Sequence, residues 1–285
     1  MEKGIHTNTN VRTRLRFLDA FRGLTILSMI AFHTCWDLMD VGFGMTREIL
    51  YSPACYVWQQ SICWSFIFLS GYCFTMGKHP LKRGLITFGC GVLVSLVTIL
   101  VMYENRAVFG VLWMIGISCL MMIPIDRVMN QRKSSARHVG EMGADATVGN
   151  AQSERGRQML KGAIGLVVCI ALFVLFRNVN RGYLGFEGWR IAKLPDWLYQ
   201  GYFMTFLGFT DHSFYSTDYF SVIPWFFLYG AGYFTRMLLK DSVVERKVFV
   251  HGCRPLEFLG RHSLLIYMLH QPVAYGCVYL LSLAF

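Results

Sequence analysis

Seven stretches of the chain, at about residues 17–39, 54–76, 84–102, 107–125, 161–176, 218–238 and 263–284, are apolar for close to the length a helix needs to cross roughly 30 Å of hydrocarbon. Hydrocarbon supplies no hydrogen-bond partners, so a run of this length must satisfy its backbone internally, which a helix does. The expected fold is therefore all-α: a polytopic transmembrane helix bundle of about seven spans. Charged residues make up only 15% of the chain and hydrophobic ones 54%, where an ordinary soluble domain is about a quarter charged. That balance excludes a disordered chain and argues against a soluble enzyme. The expected organisation is an N-terminal segment at 1–16 and a single membrane domain at 17–285. Within the domain, the polar, aromatic-poor stretch 126–160 reads as a flexible linker and the aromatic-rich stretch 177–217 as a structured loop.

A formal charge of +10 raises the question of nucleic acid, and the placement of the cations answers it. About 20 Lys and Arg residues fall in the alternate segments 1–16, 77–83, 126–160 and 236–261, against six in the opposite set (Arg47, Arg106, Arg177, Arg181, Arg190, Lys193). Alternation of this kind is the positive-inside signature of a membrane topology. It places the N-terminus in the cytoplasm, puts 177–217 outside, and makes the bilayer, not nucleic acid, the partner. The nine cysteines are scattered, mostly inside apolar stretches and with no CxxC pair; they read as small buried hydrophobes, and no metal site is expected. The stretch 197–209 is expected to lie at the membrane interface or re-enter, an eighth crossing being the alternative.

The first span, RFLDAFRGLTILSMIAFHTCWDLMD, carries ionisable groups where each costs roughly 2.5–3.5 kcal/mol to insert. At 100° per residue Asp19, Arg22, His33 and Asp37 fall within about a sixth of the helix circumference, a single stripe that should face the bundle interior or a wet cavity. Asp19 can pair with Arg22, and Asp37 with His33. The first pair is as well explained by anchoring the helix end. The second is the arrangement a general base requires, a carboxylate orienting an imidazole.

The last span, GRHSLLIYMLHQPVAYG, puts Ser263, Tyr267 and His270 on one face with Gln271 on its flank. Hydrogen bonding between helices is the plain explanation of such a face; a shared cavity with the first span is the functional one. Arg261 and His262, just before it, suit a phosphate or a lipid headgroup. Ahead of the sixth span, Asp218 and Tyr219 stand among aromatic residues, a setting that suits a sugar as well as a membrane interface.

These segments resemble a known family. LDAFRGLTILSMIAFHTCWDL is similar to the opening helix of the heparan-alpha-glucosaminide N-acetyltransferase catalytic-domain family, a branch of the transmembrane acyltransferases. FIFLSGYCFTMG, FGVLWMIGISCLMM, FYSTDYFSVIPWFFLYGAGY and LEFLGRHSLLIYMLHQP resemble its later signatures in the same order. The resemblance implies transfer of an acyl group, usually acetyl, from cytoplasmic acyl-CoA to an acceptor across the membrane, a saccharide or amino sugar. It implies a bacterial cytoplasmic membrane. It also implies donor-end roles for Asp19 and Arg22, and roles further across for His33, Asp37, His270 and Gln271.

The chemistry expected on this basis is acyl transfer in a polar cavity between the first and last helices. Arg22 and Arg261 would attract the CoA phosphates, with Asp19 beside them. His33, held by Asp37, would take the proton of the incoming amine or hydroxyl, and Tyr267 or His270 would stabilise the oxyanion. Gln271, Asp218 and Tyr219 would contact the acceptor. O-acetylation of an envelope polysaccharide is an open alternative, as is a proton or solute transporter, against which the lack of an internal repeat weighs.

Overall fold

The computed structural model describes residues 15–130, 144–240, 242–247 and 249–284. Most of the expected N-terminal segment, and 131–143 of the expected linker, lie outside the described residues. The helices are α1 (Arg16–Asp40), α2 (Arg47–Leu50), α3 (Pro53–Tyr72), α4 (Pro80–Val101), α5 (Val111–Asn130), α6 (Ala144–Phe176), α7 (Gly201–Leu207), α8 (Val222–Leu239), α9 (Val243–Lys247), α10 (Arg254–Arg261) and α11 (Ser263–Ala284). One antiparallel hairpin, β1 (Tyr183–Phe186) with β2 (Trp189–Lys193), sits between α6 and α7. We call that end of the bundle the hairpin end and the opposite one, where α1 begins, the basal end.

Pro80–Val101, Val111–Asn130, Ser153–Arg181 and Ser263–Ala284 are long and apolar enough to cross a membrane. Their outward faces carry large apolar side chains, among them Leu93, Leu96 and Leu100 on α4, Val167 and Ile170 on α6, and Leu269, Val273 and Leu280 on α11. In water such contiguous apolar surface marks an interface or a liability; in lipid it is the solvated face. This is an integral membrane protein. Helices α1, α3 and α8, of 25, 20 and 18 residues, pack into the same bundle. Their charged, amide and aromatic groups lower their apolarity.

Two expectations are corrected. The linker 126–160 is helical at both ends, since α5 runs to Asn130 and α6 starts at Ala144, well before the apolar residues. Residues 144–160 contain no proline, and Ala, Gln, Glu and Arg extend a helix once an apolar segment has nucleated it. The span expected at 218–238 begins at Val222, which leaves Asp218 in the preceding loop. In the stretch 197–209 the helix is α7, seven residues and so about 10 Å long at 1.5 Å per residue, far short of a crossing.

The interior is aromatic and sulfur-rich, with Met114, Met122, Phe173, Trp225, Tyr229 and Tyr233 packed among α3, α5, α6 and α8. Glycines set how closely the helices approach. A β-carbon on Gly71 would overlap the Tyr229 carbonyl, and one on Gly232 the Phe68 carbonyl, so α3 and α8 cross backbone to backbone. Gly23 and Gly260 do the same for α1 and α10, against the carbonyls of Leu256 and Asp19. That second crossing fixes how α1 sits at the basal end of α11. Gly71→Ala should therefore cost about 1–3 kcal/mol by overpacking, whereas Gly276→Ala, with nothing within 4 Å, should be neutral; thermal unfolding of the two variants in the same detergent checks the contrast.

Candidate functional site

The polar faces of α1 and α11 meet. Gln271 donates from Nε2 to Asp37 Oδ1 at 2.9 Å, joining the first and last long helices by a bond between residues far apart in sequence. One residue earlier on α11, the His270 ring lies 5.1 Å from that of His33, tilted by 52°. Tyr267 follows at 5.3 Å between ring centroids, and its hydroxyl reaches Asp218 Oδ2 at 3.5 Å. His33, Asp37, Tyr267, His270, Gln271 and Asp218 thus form one continuous track. The expected hydrogen bond between His33 and Asp37 is not formed among the described residues. Although they share a face, the short Asp37 side chain is taken by Gln271, and the His33 ring turns toward α11.

The track leaves its hydrogen-bonding capacity unevenly used. His270 Nδ1 lies 2.6 Å from the Tyr267 carbonyl. A carbonyl only accepts, so Nδ1 carries the proton and Nε2 the lone pair. That Nε2 is buried without a hydrogen-bond partner, as are Asp37 Oδ2 and Gln271 Oε1. Asp37 itself is only 3% exposed. With Asp37 ionised, all three orphan atoms are acceptors, and each buried group left so costs about 1–3 kcal/mol. Each of the three can accept one further hydrogen bond.

At the basal end the expected Asp19–Arg22 pair is present but loose, at 3.8 Å. Arg261 does not stand free: it meets Glu257 Oε2 at 3.1 Å, while Arg16 meets Oε1 at 2.8 Å. Glu257 is 1% exposed. The hydrogen bonds and charge of Arg16 and then Arg261 hold its carboxyl below the ordinary glutamate range. Two cations over one anion leave a net positive charge at the mouth of α1. Glu257 was not singled out by sequence; its spacing four residues before Arg261, on a short helix, was the available signal.

At the hairpin end Asp218 and Tyr219, neighbours in sequence, diverge. Asp218 Oδ2 accepts from the Val111 N–H at 3.2 Å and so caps the start of α5. The Tyr219 hydroxyl donates to the Thr205 carbonyl and accepts from Thr210, which ties α7 down and takes Tyr219 out of the track. The sequence reading also missed a network around Arg177: it donates to Gln60 Oε1 at 2.7 Å and to Tyr56 at 3.2 Å, pairs with Glu187 at 3.4 Å and stacks over Trp225. Glu187 sits in the hairpin turn and accepts from Tyr56 at 2.9 Å. The hairpin is therefore fastened to α3 and α6. Among the described residues no three His, Cys, Asp or Glu side chains gather as a metal site would need.

The first and last long helices of this membrane bundle thus bring together two imidazoles and three unused acceptors. The family pattern described as heparan-alpha-glucosaminide N-acetyltransferase, catalytic, matches residues 14–136 and 159–272, and the chain belongs to that family. The residues it passes over lie between α5 and the apolar part of α6. No curated protein and no solved structure matches the chain.

Removing one partner of the Gln271–Asp37 bond should cost more than removing both. Gln271→Leu leaves a buried carboxylate with neither oxygen bonded and should destabilise the protein by about 1–3 kcal/mol, while Asp37→Leu/Gln271→Leu should recover most of that loss in thermal unfolding. Because the Glu257 carboxyl is held low, its contribution is complete above its ordinary pKa and is lost as pH falls through the lower folded value. Glu257→Gln should accordingly melt below the parent at neutral pH, with the gap closing as pH falls below the ordinary glutamate range and the parent loses the same charge.

Proposed function

We propose that this protein acylates a primary amine, with acetyl-CoA as donor at the basal, cytoplasmic end and an amino-sugar acceptor arriving from the hairpin end, through a bundle of seven crossings in a bacterial cytoplasmic membrane. Its membership of a membrane acetyltransferase family supports the reaction class. The trio of orphan acceptors, His270 Nε2, Asp37 Oδ2 and Gln271 Oε1, supports the nitrogen nucleophile. A hydroxyl offers one hydrogen to three acceptors; an ammonium group offers three. The amine reading is therefore favoured over O-acetylation.

In this scheme the ammonium gives one proton to His270 Nε2, whose tautomer is set by the Tyr267 carbonyl. The freed lone pair attacks the thioester carbonyl, the C–N bond forms and the C–S bond breaks. The departing thiolate takes the second proton released from nitrogen. Asp37 and Gln271 hold the nitrogen in line, and His33, against His270, faces the carbonyl oxygen as charge develops on it. Arg22 and Arg261, with Arg16, supply the positive field for the CoA phosphates, and Asp19 keeps Arg22 in register. Asp218 acts through Tyr267 by fixing it, and Tyr219 serves the scaffold.

The test is transfer of labelled acetyl from acetyl-CoA in proteoliposomes, with glucosamine and glucose as paired acceptors. Acetylated glucosamine should form while glucose is left, and His270→Ala should lower kcat by about a hundredfold or more. Gln271→Leu should raise KM for the amine more than it lowers kcat. Transfer to glucose at an equal rate, or a His270→Ala protein at parental rate with normal expression, overturns the reading.

A further inference from the structure

A groove of about 650 Å³ opens between the β-hairpin and the loop that follows it, apart from the α1–α11 track. Both of its walls are fixed. On one side Asn178 Nδ2 donates to the carbonyls of Gly185 and Glu187 at 3.2 and 3.0 Å, and the Tyr183 hydroxyl donates to the Glu187 carbonyl at 2.6 Å. On the other the Tyr199 hydroxyl donates to the Val179 carbonyl at 2.7 Å. Asp211 closes the loop, accepting from the Gly201 N–H at 2.7 Å and from Ser213 at 2.6 and 2.8 Å. Those bonds hold its carboxyl down at about 2, so the loop stays charged and bound across the physiological range.

The lining is cationic and aromatic: Arg181, Arg190, Lys193 and His212, with Tyr183 and Tyr199. Its carboxylate, Asp196, is engaged by Lys193 at 3.2 Å. Arg190 is braced over the Tyr183 ring at 4.9 Å, which orders the guanidinium and leaves its N–H edge available. Neither Arg181 nor Arg190 has an ion-pair partner among the described residues. Two guanidiniums without counter-charge, in a groove wide enough for a sugar ring and edged by tyrosines, match a planar or tetrahedral oxyanion, which Arg binds through paired N–H donors.

We propose that this groove binds an oxyanion-bearing ligand, through a carboxylate or phosphate seated between Arg181 and Arg190. The site does not depend on the acyl-transfer reading, because occupancy is measured without acyl-CoA.

The experiment uses the full-length protein in nanodiscs and two probes: galacturonic acid trimer, with neutral maltotriose as its control, and phosphatidylglycerol exchanged for phosphatidylcholine in the disc. Binding of the acidic trimer is expected and should weaken as NaCl rises from about 0.05 to about 0.3 M. Arg181→Gln/Arg190→Gln should weaken it by about tenfold or more. Arg47→Gln, the same charge change outside the groove, should leave it within about twofold. If phosphatidylglycerol competes with the trimer and the double variant removes that competition, the lipid headgroup is the source of the oxyanion and the site stands. Trimer binding equal to that of maltotriose with no lipid effect, or binding unchanged in the double variant, overturns it. Both arginines are exposed, so the double variant should fold, and its melting temperature beside the parent's shows that it has.

Discussion

A carboxylate buried between two helices is the constraint around which the site is organised. Asp37 has no place at 3% exposure unless something on a neighbouring helix answers it, and Gln271 does so with one N–H. That bond sets the register of α11 against α1, and the register in turn brings His270 beside His33. Because the answer is only half complete, one oxygen of each partner remains unbonded. The same contact therefore joins the two helices and leaves each partner with one further acceptor.

The two ends of the bundle are held by different physics. At the basal end the backbones of α1 and α10 touch through Gly23 and Gly260, and Glu257 is clasped by two arginines. Close approach and charge act there together, since the short helix that carries Glu257 also carries Gly260. At the hairpin end the scaffold is a web of hydrogen bonds around Arg177, Asn178, Tyr199 and Asp211. Loops exposed to water can afford such polar webs, whereas the lipid-facing middle of the bundle cannot. These bonds fix the two walls of the groove beside Arg181 and Arg190.

Some residues chosen for chemistry turn out to support others. Asp218 caps α5 and steadies Tyr267; Tyr219 fastens α7; Arg261 shares its charge with a glutamate. Tyr56 and Gln60 from α3 and Glu187 from the hairpin turn converge on one arginine at the end of α6. Such convergence is invisible to periodicity, because each member looks like an ordinary polar residue on its own helix or turn.

The apolar runs determined by themselves that the chain would be helical, because backbone satisfaction in hydrocarbon leaves few other forms; of the seven stretches, four lie in helices long and apolar enough to cross a membrane. Helical periodicity likewise determined that Asp19, Arg22, His33 and Asp37 share a face of α1, since 100° per residue is a local property. The partners of those side chains were another matter. Spacing alone allowed Asp37 to pair with His33 four residues away, and only the packing of α11 against α1 decided for Gln271, because a hydrogen bond across helices depends on their separation and rotation. The hairpin, the start of α8 at Val222 and the groove beside Arg181 were decided the same way, by contacts between distant segments whose energies no single segment contains.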